Sequence, residues 1–293
     1  MSPAPGSAPP PSAFDVSDLY LRAADEAGVL GHIDGLPVVA DEYREPATGE
    51  LQCLVEHADP ALLARAPRLL DALFRRHPGC TSAVVRIPAH LPAPGALQPL
   101  LSYLRHAPQP AAAVPAVVPA VPAAAPEPAD VAAPFGITEA SDADDEAVGR
   151  WLSRAIRDAA ADRGHTETAQ GTAESVRRLL EAPGRRSYLV RVPGRPDPIG
   201  HATVLTDAYD DVSDSPFVEL VDILIDDDAL RRAATARLVA ACAGTAAAVG
   251  APLIGNVTHP ADRAGQERSA RVVAALRRRG WTPTHGYAYA ARP

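Results

Sequence analysis

Phe217-Val-Glu-Leu-Val-Asp-Ile-Leu-Ile-Asp226 runs into Asp-Asp-Ala-Leu-Arg-Arg-Ala-Ala-Thr-Ala-Arg237, and then into Leu-Val-Ala-Ala-Cys-Ala-Gly-Thr-Ala-Ala-Ala-Val-Gly250. The first segment is a buried strand, the second a short polar turn, the third a long alanine-rich helix. A strand that leads straight into a helix N-terminus makes an anion site. Unpaired backbone N–H groups and the positive end of the helix dipole point at one spot. The strand carries two acids, Glu219 and Asp222. Alternation puts Glu219, Val221 and Ile223 on one face and Leu220, Asp222 and Leu224 on the other, so only a bulge would let both acids face one pocket.

Outward from this stretch, residues 252–259 form a strand, 267–279 a helix and 284–291 a last strand with Tyr287 and Tyr289 in alternation. Before it come a strand at 137–140, a helix from the Ser141/Asp144 capping pair to about residue 162, and a helix at 173–181. Strands at 187–192 and 199–206 and an acidic loop at 207–216 complete this half. Residues 107–134 are almost entirely Pro, Ala and Val. Segment 108–134 therefore reads as an extended linker, separating a domain at 14–107 from one at 135–293. Residues 1–13 read as a disordered tail. In the first domain we expect helices at 17–28, 59–76 and 96–106, with strands at 36–43, 50–57 and 82–87. Pro67 marks a late start for the middle helix.

Composition narrows the chemistry. All 28 basic residues are Arg, which excludes a Schiff base or a P-loop lysine. A formal net charge of -8 argues against a nucleic-acid partner. Cys53, Cys80 and Cys242 are odd in number and widely spaced, against a disulfide framework or a zinc site. The start lacks a signal-peptide pattern, and no run of about 18 apolar residues predicts a membrane helix. The expectation is a cytoplasmic protein with neither membrane nor metal partner, of open oligomeric state.

The element order, Val221–Ile225, the Arg-rich turn, the alanine-rich helix and the terminal Arg279-Gly280-Trp281 resemble the GCN5-related N-acetyltransferase superfamily over residues 135–293. The resemblance implies an α+β fold with a twisted, mostly antiparallel sheet flanked by helices. It also implies acetyl-CoA as cosubstrate. In that family the turn after the fourth strand reads Gln/Arg-x-x-Gly-x-Gly/Ala. The matching residues here are Arg231, Arg232, Ala233, Ala234, Thr235 and Ala236, whose amides would hold the pyrophosphate, with Ala234 in place of the central Gly. Ile223, Ile225 and Asn256 are further cofactor-binding candidates, Asn256 positioning substrate or pantetheine. Glu219 is the base candidate and Asp222 the second choice. The family's thiolate-protonating tyrosine falls at Leu276. Glu56-His-Ala-Asp-Pro-Ala-Leu-Leu-Ala-Arg-Ala-Pro-Arg-Leu-Leu70 is similar to 226–239, so residues 14–107 read as a degenerate partial copy. The implied function is transfer of an acetyl or other acyl group from CoA to a small-molecule amine. The alternative is a catalytically inactive CoA-binding or interaction module.

Overall fold

The computed structural model describes residues 15–46, 48–106, 135–162, 164 and 166–293. The tail at 1–13 and the linker at 108–134 lie outside the described residues. α1 (Asp18–Glu26) precedes β1 (Leu30–Ile33), β2 (Leu36–Arg44) and β3 (Leu51–Ala58). α2 (Pro60–Leu63), α3 (Ala66–Arg76), β4 (Ser82–Pro88) and β5 (Gln98–His106) follow. The second half holds β6 (Gly136–Glu139), α4 (Asp145–Asp162), α5 (Ala169–Glu181), β7 (Arg185–Arg191), β8 (Gly200–Asp210) and β9 (Ser215–Ile225). It ends with α6 (Arg231–Val249), β10 (Leu253–Thr258), α7 (Arg263–Arg278) and β11 (Trp281–Ala291).

Local chemistry sets most boundaries. Ser17 caps α1 by accepting the Tyr20 N–H at 3.0 Å. Pro67 breaks the stretch expected as one helix at 59–76 into the single turn α2 and the amphipathic α3. Asp34 and Gly35 both take positive φ, 54° and 79°, and close the tight hairpin from β1 to β2. Gly250, at φ 72°, ends α6 in the left-handed conformation.

The sheet has eleven strands in the order β1-β2-β3-β4-β11-β5-β10-β9-β8-β7-β6. It is antiparallel except at β3–β4 and β9–β10. Each parallel pair is a strand–helix–strand unit, with α2 and α3 in one connection and α6 in the other. The last strand of each half is exchanged. β11 enters between β4 and β5, and β5 enters between β11 and β10. One sheet therefore runs through both halves.

This arrangement corrects the helix expected at 96–106, which is β5. Two strands, β10 and β11, line its edges, and a helix there would leave both without ladder partners. Leu104 is fully buried between them.

α3, α6 and α7 cover one face. α3 packs on Val55, Ala83, Val85 and Ala288, and α6 lays Ala234, Leu238, Cys242 and Ala246 on Ala202, Val204 and Leu220. On the other face α4 and α5 pack Val148, Leu152 and Val176 against Leu189 and Val221. α1 reaches that same face through Tyr20, whose hydroxyl donates to Glu56 Oε2 at 2.6 Å. Each fully buried Leu contributes roughly 1.5–3 kcal/mol of transfer free energy. No helix among the described residues is long and apolar enough to cross a membrane. None of their His, Cys, Asp and Glu side chains cluster in a group that could hold a metal ion.

Candidate functional site

The site is organised by β9. Its pairing with β8 slips at Val221, because Thr203 stands opposite Asp222 while Val204 stands opposite Leu220. Val221 is thus an extra residue, a β-bulge, and its backbone drops out of the regular ladder. The slip also reverses the parity of the strand. Glu219 and Asp222 pair with Leu205 and Thr203, two apart on β8, so both acids stand on the α4–α5 face.

On its other edge β9 meets β10 for three residue pairs only: Val218 with Leu253, Glu219 with Ile254, Leu220 with Gly255. Past Gly255 the two strands part. Asn256 is the first β10 residue beyond the pairing, and the bulge lies directly across from it. The result is a cleft between diverging strands whose facing backbone groups are not bonded to each other.

The two acids differ in surroundings. Burial pushes the Glu219 carboxyl above its ordinary range, and no hydrogen bond joins it to another described residue. The Asp222 side chain is 8% exposed, and its Oδ2 lies 3.2 Å from Nδ1 of the fully buried His201. Burial raises the Asp222 carboxyl to about 8, opposed by the Thr203 N–H, and lowers the imidazole to about 3. These directions favour a neutral carboxyl beside a neutral ring, and neither Asp222 oxygen nor His201 Nδ1 hydrogen-bonds another described side chain. His201 Nε2 continues to Thr203 Oγ1 at 2.8 Å, and Thr203 Oγ1 to Ser187 Oγ at 2.8 Å. Trp151 stacks on the imidazole, centroids 6.0 Å apart, and closes this relay from the α4 side.

The N-terminus of α6 has no side-chain cap at Leu230. Ala234 donates its N–H to Leu230 O at 2.8 Å, and Thr235 and Ala236 lie within the helix. The amides left over are those of Arg231, Arg232 and Ala233. Of the six residues expected to cradle phosphate, Arg231, Arg232 and Ala233 have amides ahead of the first helical hydrogen bond, and Ala234, Thr235 and Ala236 do not. The Ala234 methyl is fully buried on the sheet side, Thr235 is half-buried and Ala236 is exposed. Ile223 and Ile225 turn into the core beneath α6. Arg231 is engaged by Asp228, and Asp226 by Arg154. Asp227 accepts the Leu230 N–H at 3.1 Å and lies 3.4 Å from Arg195. Arg232 is exposed and unengaged among the described residues. Leu276 packs into the core around Trp281, and Ser269 donates to Thr258 O at 2.7 Å.

The corresponding place in the first half is built otherwise. β3 and β4 pair from Gln52–Ser82 to Val55–Val85 and then diverge. The β8–β9 hairpin of the second half lies over that opening. Arg86 donates to both oxygens of Asp210, at 2.6 and 2.7 Å. Val212 is buried, and its carbonyl accepts the Ser17 N–H at 2.8 Å. Glu56, His57, Arg86 and Val212 line a residual cavity of about 170 Å³. The acidic loop read from sequence is therefore the far end of two long strands. Asp210 closes this opening, and Asp214 accepts from the Tyr209 hydroxyl.

Sequence reasoning did not single out His201, Arg86 or Tyr103 for this site. His201 and Thr203 stand two apart on a strand, which is the one signal that could have joined them.

No protein-family model matches the chain, and no curated protein matches it. Its structure is similar to that of an acetyltransferase from the GNAT family from Colwellia psychrerythraea, at 11% identity over 90% of this chain and 84% of that one, with a TM-score of 0.44. It is also similar to a putative acetyltransferase from the GNAT family from Novosphingobium aromaticivorans, at 15% identity over 96% and 99% of the two chains, with a TM-score of 0.37. An aminoglycoside acetyltransferase from an uncultured soil metagenomic sample is similar at 14% identity, over 50% of this chain and 89% of that one, with a TM-score of 0.34.

Proposed function

We propose that the chain transfers an acetyl or related acyl group from CoA to a small-molecule amine. The observation that carries this reading is the juxtaposition of three features on β9: the short parallel pairing with β10, the bulge at Val221 and the uncapped start of α6. Diverging strands form a slot that fits an extended amide-bearing arm, with unpaired backbone groups of β9 and β10 on either side. Asn256 stands at its mouth. The amides of Arg231, Arg232 and Ala233 suit a pyrophosphate, and the Arg232 guanidinium is free to add charge.

Attack by an amine on a thioester carbonyl forms the C–N bond, breaks the C–S bond and requires the amine to lose a proton. Glu219 is placed to take it. It has no hydrogen-bond partner among the described residues, shares the α4–α5 face of the sheet with Asp222, and burial has moved its carboxyl toward the range where a base works near neutral pH. An N–H released from the ladder at the bulge is suited to polarising the carbonyl oxygen. Asp222 is enclosed with His201 and acts as a structural support of the bulge.

One observation favours a second reading, a module that binds CoA without turning it over. Asp226, Asp227 and Asp228 crowd the start of α6, and Arg231 is spent on Asp228. Acetyl-CoA titration decides first. At a hundredfold excess over Kd a one-site ligand adds about 2.7 kcal/mol of stability. The absence of any thermal shift at millimolar CoA would overturn both readings. Binding without thiol release, across a panel of amines, would select the second.

A further inference from the structure

The exchanged strands bring side chains of the first half beside Glu219. Tyr103 on β5 stands opposite Asn256 of β10 and opposite His285 of β11. Its neighbours in sequence point the other way: Ser102 bonds His259 ahead of α7 at 2.8 Å, and Leu104 lies in the core beneath α6. Tyr103 therefore shares the face of Glu219. Its ring stacks on the His285 imidazole at 4.6 Å, with 13° between the planes. Tyr287 meets both rings edge-on, at 5.8 and 5.7 Å.

Two polar ends on this face lack partners. Neither the Tyr103 hydroxyl nor the Glu219 carboxylate hydrogen-bonds another described residue, and burial, then Tyr287 and Glu219, push the Tyr103 hydroxyl up so that it stays neutral. The other ionisable groups nearby are already engaged or neutral. Arg86 is locked to Asp210, with side chains 6% and 12% exposed. Burial, then the field of Arg86, pushes His285 down to about 3, so it is a neutral ring. Glu56 is held by the Tyr20 hydroxyl. Three neutral rings remain beside the Glu219 carboxylate, which no described cation or hydroxyl engages.

We propose that Tyr103, His285 and Tyr287 form the aromatic wall, and Glu219 the anionic end, of a subsite for a primary alkylamine whose short chain carries an aromatic ring. An ammonium gains from both the carboxylate and the negative ring faces, and a flat body adds stacking that an alkyl chain lacks. The inference rests on the acyltransferase reading, of which it is the acceptor end. The first half thereby becomes part of the site.

The test uses the full chain without acetyl-CoA, by calorimetry, so that its outcome is separate from CoA binding. The probes are 2-phenylethylamine, n-hexylamine and 2-phenylethanol. We expect the first to bind about tenfold more tightly than the other two, since either missing element removes about 1.4 kcal/mol. Tyr103→Leu and Glu219→Gln should each lose about that factor, while Tyr103→Phe keeps the ring and stays within about threefold. Should Tyr103→Leu fail to fold, Tyr287→Leu carries the same expectation. Equal binding of the three probes, or wild-type binding by the folded Leu variant, overturns the subsite. Loss of CoA binding alone would overturn the acyltransferase reading and leave the subsite standing.

Discussion

The openings at β3–β4 and at β9–β10 begin alike and end differently. Each lies where a parallel pair of strands stops pairing and one of them runs on to a helix. In the first half the opening is closed. The long β8–β9 hairpin covers it, Arg86 is spent on Asp210, and α3 starts with Pro67, which has no N–H to offer. In the second half the opening has a bulge, an unengaged acid and a helix start with three spare amides. The reciprocal hairpin from β2 to β3 is short, and its Glu50 bonds Ser82 at 2.6 Å within its own half. What separates the two openings is what the other half lays over each.

The largest expected effect is on the closed side. Arg86→Ala leaves Asp210 buried without its partner, which should cost about 3–5 kcal/mol in chemical denaturation. Burial pushes the Asp210 carboxyl up, but Arg86 and Ser213 outweigh it and hold it low. This contribution is therefore present above the ordinary carboxylate range and lost as pH falls through the depressed value. Wild-type stability for Arg86→Ala would break the contrast between the two openings.

The next effect belongs to His201 and Asp222. Between their ordinary values of 3.8 and 6.5, the folded and unfolded forms of the pair each carry one proton, so the pair gives no slope. Above 6.5 the unfolded chain has released both protons while folded Asp222 keeps one up to about 8. Stability should fall there by about 1.4 kcal/mol per pH unit, roughly 2 kcal/mol in all. The double variant Asp222→Asn, His201→Gln should lack this fall, as read from unfolding midpoints between pH 6 and 9.

Glu219→Gln sharpens the contrast directly. Thiol release should drop more than about tenfold with acetyl-CoA affinity unchanged, while Glu56→Gln at the closed opening leaves turnover as it was. Equal losses from the two variants would refute the assignment of the base. The smallest effect is Arg232→Ala, which should weaken CoA by about 1 kcal/mol or less because the side chain is solvated.

Much of the open side was legible in sequence, because strand, turn and helix of this stretch are local. The parity of Glu219 and Asp222 was not, since it depends on a slip against β8 that only the pairing reveals. β5 was misread for a related reason. Leu97, Leu100, Leu101 and Leu104 fall at helical spacing, yet the segment is a strand because β10 and β11 need partners. That need arises some 150 residues away. Its loss also hid Tyr103, which has a functional reading only once β5 lies beside β10. β1 was missed although Asp34-Gly35 signals a tight hairpin.

The exchange of last strands also bears on how the chain is made. β4 and β5 find their shared neighbour only in β11, which begins at Trp281 and leaves the ribosome after the other ten strands. Until then β4 and β5 each keep an open edge, and the β3–β4 unit lacks its second neighbour. Assembly of both halves is thus completed in one late event, governed by contacts of very large sequence separation and slow on that account. A chain stopped before Trp281 would retain Glu219, Asn256 and the start of α6, lose His285 and Tyr287, and expose two adhesive strand edges.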